Sequence, residues 1–205
     1  MLDPLALKLD MLRDIPVSWF NAESALAVDP GERFVLTQMQ QPGAEVQKII
    51  DDQGQLQSAH PSFEVYRFVT DPRFAPLDGA FDGGRLILRS GTGVPDRVQP
   101  GEVLTWRTSW LIDPPFSQPR LKLFLHVLND KGEVIAGDDR EDFNFSTLNQ
   151  GDRLIQISQV TLPPDLPPGL YQVEVGWYNP ESGERLTRAD GSDRFLLAPL
   201  EVIAP

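Results

Sequence analysis

The stretch from Asp165 to Leu186, "DLPPGLYQVEVGWYNPESGERL", decides the fold. Pro167 and Pro168, with Pro163 and Pro164 just upstream, exclude a helix and lack ladder donors, so they predict an extended crossing that bends at Gly169. From Leu170 onward the residues alternate. Tyr171, Val173, Val175 and Trp177 are predicted to face a dry interior, with Gln172 and Glu174 on the opposite side. After Tyr178, "NPESGERL" puts Pro180 early in a turn and Gly183 where a left-handed backbone is expected. Crossing, strand and turn together indicate a β-sheet protein.

The same pattern extends in both directions. "RLILRS", "EVLTWRTSW", "RLKLFLHVL", "EVIAG", "RLIQISQVTL" and "DRFLLAPLEVI" read as further short strands separated by Pro, Gly, Asn and Asp. In the second of these, Leu104, Trp106, Thr108 and Trp110 share one face. "RLKLFLHVL" is apolar on almost both faces, which predicts a central strand. Its continuation, "NDKGE", supplies the residues a hairpin needs at positive φ, so a β-hairpin is expected from Leu121 to Val134. Strands so spaced predict an antiparallel sandwich over residues 85–205.

The first 70 residues have another rhythm. "DPLALKLDMLRD" places Leu5, Leu9 and Leu12 on one helical stripe, and "IPVSWF", "ERFVLT" and "FEVYRFV" read as strands. Between the last two, Pro42 opens a helix, Val46, Ile49 and Ile50 give it a buried face, and Gly54 stops it. Strand, helix and strand in that order favour a small parallel α/β segment over residues 1–70, followed by a linker at 71–84 within "TDPRFAPLDGAFDGG". The expected fold is therefore mainly β with a small α/β part: an immunoglobulin-like antiparallel β-sandwich preceded by a short α/β segment.

Charge narrows the partners. Thirty acidic against 18 basic side chains give a net charge of -12, which repels phosphate backbones, so nucleic acid is not an expected partner. The chain has no cysteine, which excludes disulfides, thiolate metal sites and thiol nucleophiles. No apolar run reaches the roughly 20 residues that span a bilayer, and the N-terminus is too interrupted by Asp and Lys for a secretion signal. Two contexts fit: a cytoplasmic protein if Met1 is the native start, or a piece of something larger.

Candidate sites are sparse. "GDDREDFN" gathers Asp138, Asp139, Glu141 and Asp142, hard oxygen ligands that could take calcium, although EF-hand spacing is missing and a solvated loop is the plainer expectation. His126 sits in an apolar strand and His60 precedes Pro61. Neither has a nucleophile motif beside it, and His126 is expected to fill a sheet face with its ring satisfied. "SGTG" lacks the Lys and context of a P-loop. Among the aromatics, Trp106, Trp110, Phe116, Trp177 and Tyr178 could offer flat faces to a pyranose, but tryptophans in a sandwich belong mostly to its core. Trp110, Phe116 and Tyr178, near predicted strand ends, are the candidate ligand-binding residues.

"LKLFLHVLNDKGEVIAGDD" followed by "LPPDLPPGLYQVEVGWYNPESGERL" resembles the soluble C-terminal domain of bacterial integral-membrane glycosyltransferases of the dolichyl-phosphate-mannose protein mannosyltransferase-like class. Phe124, His126, Leu128, Gly132, Ala136 and Asp139 stand at matching places, as do Gly151, Pro167, Pro168, Gly169, Tyr171, Gly176, Tyr178, Pro180, Gly183, Arg185 and Leu186. "PVSWFNAESAL" and "DPRFAPLDGAFDGG" are similar to the connecting region after the last membrane helix of such proteins. The chain departs from the pattern where Leu148 or Asn149 replaces a Trp and where "REDFNFSTLNQ" lacks a Pro-Thr. The resemblance implies a non-catalytic accessory domain on the extracytoplasmic face of the membrane, positioning an acceptor or a partner. Its partner would be carbohydrate or a membrane-embedded part of the same polypeptide, and it would carry no catalytic residue and no cofactor beyond the possible calcium. The alternative is a stand-alone carbohydrate-binding or protein-interaction sandwich that adds a strand to its partner.

Overall fold

The computed structural model describes residues 18–28, 33–37, 41–60, 63–68, 79–92 and 96–204. The expected helix through Leu5, Leu9 and Leu12, the first half of "IPVSWF" and most of the 71–84 linker lie outside the described residues; the described half, residues 18–20, makes only an isolated bridge from Phe20 to Phe143 in place of the expected strand.

The chain forms a two-sheet sandwich. In order, β1 (Ala25–Val28), β2 (Arg33–Thr37), α1 (Ala44–Gln53), β3 (Gly54–His60) and β4 (Phe63–Phe68) come first. Then follow β5 (Gly79–Phe81), β6 (Leu86–Thr92), β7 (Arg97–Val98), β8 (Val103–Ile112), β9 (Lys122–Leu128) and β10 (Val134–Arg140). The chain closes with β11 (Arg153–Thr161), β12 (Gly169–Tyr178), β13 (Phe195–Leu196) and β14 (Leu200–Val202). One sheet has the order β1-β11-β8-β6-β5, and the facing sheet runs β10-β9-β12-β14-β7 with β13 also on β12. Pairing is antiparallel except between β14 and β7. No helix among the described residues is long and apolar enough to cross a membrane.

Alternation fills the space between the sheets. Leu104, Trp106, Trp110 and Ile112 of β8 meet Tyr171, Val173, Val175 and Trp177 of β12 in one core. Trp110 and Trp177 meet edge to face, centroids 5.3 Å apart, a geometry that suits the ring quadrupoles and joins the two layers. The expected hairpin is present: Asn129 N donates to Glu133 O, and Gly132 holds φ 77°. The opening cassette forms as the sequence predicts, with Gly183 at φ 73° and the Tyr171 hydroxyl donating to Pro167 O at 2.8 Å. The last expected strand is split into β13 and β14, with Pro199, which has no N–H for the ladder, between them.

The N-terminal segment corrects one expectation. Its small sheet is antiparallel, ordered β2-β4-β3, because α1 leads directly into β3 and does not cross over to a parallel neighbour. The helix buries Val46, Ile49 and Ile50 as expected, and does so against Leu26, Val28, Ile155 and Ile157 on the outer side of the sandwich. β11 is therefore buried on both faces, Ile155 and Ile157 outward and Leu154, Gln156, Ser158 and Val160 on the other side. β1 and β5, upstream of residue 85, are strands of the sandwich itself, so the expected 1–70 and 85–205 division does not follow the sheets.

Candidate functional site

The outer face of the β10-β9-β12 sheet concentrates the ionisable groups. Period two turns Phe124 and His126 of β9 away from the core, and pairing sets Gly137, His126 and Glu174 in one row and Asp139, Phe124 and Gly176 in the next. Both glycines make room for rings. A Cβ at Gly176 would lie 2.6 Å from Phe124 Cζ, and one at Gly137 would lie 2.5 Å from His126 Cδ2.

Glu174 is the electrostatic centre. Alternation sets it on the side away from the core, as expected, and its side chain is nevertheless 1% exposed, because the turn after β12 and the segment leading to β13 return over it. Arg194 Nη1 donates to Oε2 at 2.8 Å, and Oε1 receives Arg185 Nη2 at 3.3 Å and His126 Nδ1 at 3.1 Å. Arg185 also lies over the Phe124 ring, 4.1 Å from its centroid. Burial favours the neutral acid, but these cationic partners outweigh it and hold the Glu174 pKa below the usual carboxylate range.

His126 is gripped on both sides. Its Nε2 lies 2.8 Å from Asp139 Oδ1, and the Tyr178 hydroxyl donates to Asp139 Oδ2 at 2.9 Å. Two carboxylates on two ring nitrogens require both nitrogens to be protonated, so the ring is an imidazolium. Burial works against that charge. The hydrogen bonds and charges of Asp139 and Glu174 prevail and raise the pKa to about 9. Burial, reinforced by the bond to Asp139, lifts the Tyr178 phenol to about 12, while His126 and Tyr178 overcome burial to keep Asp139 low. With Asp193 bound to both arginines, three cations (His126, Arg185 and Arg194) balance three anions (Glu174, Asp139 and Asp193).

The four acids that could supply calcium ligands, Asp138, Asp139, Glu141 and Asp142, do not converge. β10 runs on to Arg140, so the expected loop is a strand and alternation sends its acids to opposite faces. Asp139 joins His126. Asp138 accepts from Arg140 Nε and from Gln159 N, both at 2.9 Å. Glu141 takes Arg120 Nη2 at 2.6 Å. Asp142 is buried among Ser24, Asn21 and Gln156, whose donors reach it at 2.6, 3.0 and 2.7 Å. Among the described residues, no group of three or more His, Cys, Asp or Glu side chains could hold a metal ion.

Of the aromatic candidates, Trp110 is corrected outright: it is 0% exposed, in the middle of the core, because it continues the inward register of β8. Phe116 is partly buried and packs edge to face on Phe145, centroids 5.0 Å apart. Tyr178 belongs to the ion network. His60 ends β3, and its side chain lies outside the described residues.

A second feature escaped the sequence entirely. At one end of the sandwich, residues 18–21 run alongside 142–147, fixed by Asn21 N to Asp142 O at 2.7 Å and Asn144 N to Trp19 O at 2.9 Å. Between them and the Pro119–Arg120 corner lies an open cleft of about 620 Å³. Trp19, Phe20, Phe143 and Phe145 give it aromatic surface, and Arg120 and Glu141 stand among its polar walls. Trp19, Phe20 and Asn21 stand about a hundred positions before the rest of the lining, so no local pattern announces the cleft.

No family model matches the chain, and no curated protein matches it significantly. Solved structures share the sandwich. The CARDB domain of a Pyrococcus furiosus protein, solved in complex with di-metal ions, is similar at 12% identity over 66% of this chain and 100% of that one, with a TM-score of 0.38. The C-terminal domain of wzt is similar at 13% identity over 65% and 80%, also at 0.38. A family 123 glycoside hydrolase from Clostridium perfringens is similar at 11% identity over 53% of this chain and 22% of its own length, with a TM-score of 0.34. At such identities the likeness is one of fold.

Proposed function

We propose that the chain is a non-catalytic accessory domain of a membrane glycosyltransferase, positioning an acceptor or partner on the extracytoplasmic side. The observation that supports it is the double carboxylate grip on His126. General-base chemistry needs an imidazole with a free nitrogen near neutral pH, and this ring has neither the free nitrogen nor a suitable pKa. The other ionisable groups around it are spent on each other, which is how a structural network behaves. Support for the parent comes from the residues of the sequence resemblance. Phe124, His126, Asp139, Gly176, Tyr178 and Arg185, scattered over more than sixty positions, meet in this one network.

An antibody raised against this domain tests the parent in the source organism. The expected band fractionates with membranes at an apparent mass far above 22.9 kDa. A band of that mass in the soluble fraction would overturn the parent and leave a stand-alone module.

A further inference from the structure

We propose that the cleft lined by Trp19, Phe20, Arg120 and Glu141 binds a neutral saccharide. The inference deepens the accessory-domain reading and rests on it for the expectation that the domain holds a ligand at all. The cleft's volume, about 620 Å³, falls within the range of small-ligand sites. It combines two kinds of surface that a sugar needs. Trp19 and Phe20 are partly exposed aromatic rings, able to take the C–H face of a pyranose, while Phe143 and Phe145 are mostly buried beneath.

The polar wall selects a partner that both donates and accepts. Arg120 gives Nε and Nη2 to Glu141 Oε1 at 2.8 and 2.6 Å and Nη1 to Glu181 Oε1 at 2.9 Å. Five N–H groups on a guanidinium leave two unspent, and Glu141 Oε2 keeps its lone pairs. Asn144 Oδ1 accepts from Ser146 N and Oγ, which orients the amide, and its two N–H groups are donors. A vicinal diol satisfies such a set, because each hydroxyl donates once and accepts as well. Charge argues against an anion: Arg120 is already compensated by two carboxylates, and the chain as a whole carries -12. A metal ion is disfavoured too, since Asp142 is occupied by three donors and Glu141 is paired with Arg120.

The test titrates the full, isotope-labelled chain with α-mannotriose, cellotriose and β-galactotriose. An oligogalacturonide serves as the anionic arm and a proline-rich peptide as the protein arm. At least one neutral trisaccharide is expected to shift the Trp19 indole and Asn144 amide signals. Trp19→Ala and Glu141→Gln should each weaken that binding by about tenfold, with melting temperatures checked for both, while Leu170→Ser, on an exposed position of β12, should leave it unchanged. No shift with any neutral sugar, shifts mapping elsewhere, or response only to the oligogalacturonide or the peptide would overturn the proposal. Such a failure leaves the parent to be decided by the membrane-fraction experiment. A soluble native protein would overturn the membrane parent alone, because the sugar titration reads the cleft itself.

Discussion

His126 is an imidazolium clamped between Asp139 and Glu174, and its raised pKa makes the stability of the whole domain depend on pH. A histidine pKa raised from 6.5 to about 9 contributes stability that is fully present below about pH 6.5 and is lost as pH rises through about 9. With the partly exposed edge of the ring discounted, the loss is on the order of 2 kcal/mol. Urea unfolding at stepped pH should show this decline between pH 6.5 and 9 in the native chain and not in His126→Gln. A flat profile in the native chain would mean that the ring is neutral throughout. The sequence carried part of this: a lone histidine in an apolar strand read as a satisfied face-filler, and it is one. The burial of Glu174 was not legible, because period two says only which side of a sheet a residue takes, not whether later chain covers that side. Arg185 and Arg194, which cover it, lie 11 and 20 positions away in irregular segments.

The elements reward pattern reading where each buries one face. β8 and β12 came out in the register their alternation predicts, and α1 buries the three residues its spacing nominates. Connection geometry is less legible. Strand, helix and strand suggested a parallel pair, but with no linker between α1 and β3 the chain re-enters its small sheet antiparallel. β10 outran its expected end because Asp138 and Asp139, poor strand formers alone, are held by Gln159 and His126. Packing of β9 against β12 supplies a sharp test at this scale. Gly176→Ala must push a new methyl into Phe124, whose ring is locked between His126 and Arg185. Overpacking of this kind costs about 1–3 kcal/mol, read as a lower urea midpoint with an unchanged slope. No change would show that the Phe124 ring has room to move.

For the whole molecule, composition and turn chemistry indicated a sandwich, while the boundary at 71–84 was drawn where Pro, Gly and Asp cluster. The sheets disregard it: β1 pairs with β11 from Ala25↔Gln156 to Val28↔Arg153. The four residues "ALAV", although closed by Asp29-Pro30-Gly31, form a short run half made of Ala, a poor strand former, and nothing local to them says which distant strand they pair with. A fragment starting at residue 71 would strip β11 of its edge neighbour and bare Ile155 and Ile157. It is expected to unfold at lower urea than the full chain, or to aggregate. Equal stability of fragment and full chain would restore the two-part division.

The proposed non-catalytic role depends on the outer-face ions being fully committed to one another. Nitrogen-15 imidazole NMR reads this directly at His126. Both ring nitrogens should carry protons at pH 7 and the ring should titrate near 9. A neutral ring at pH 7, with one nitrogen bare, would put a free base on the sheet and contradict the non-catalytic reading.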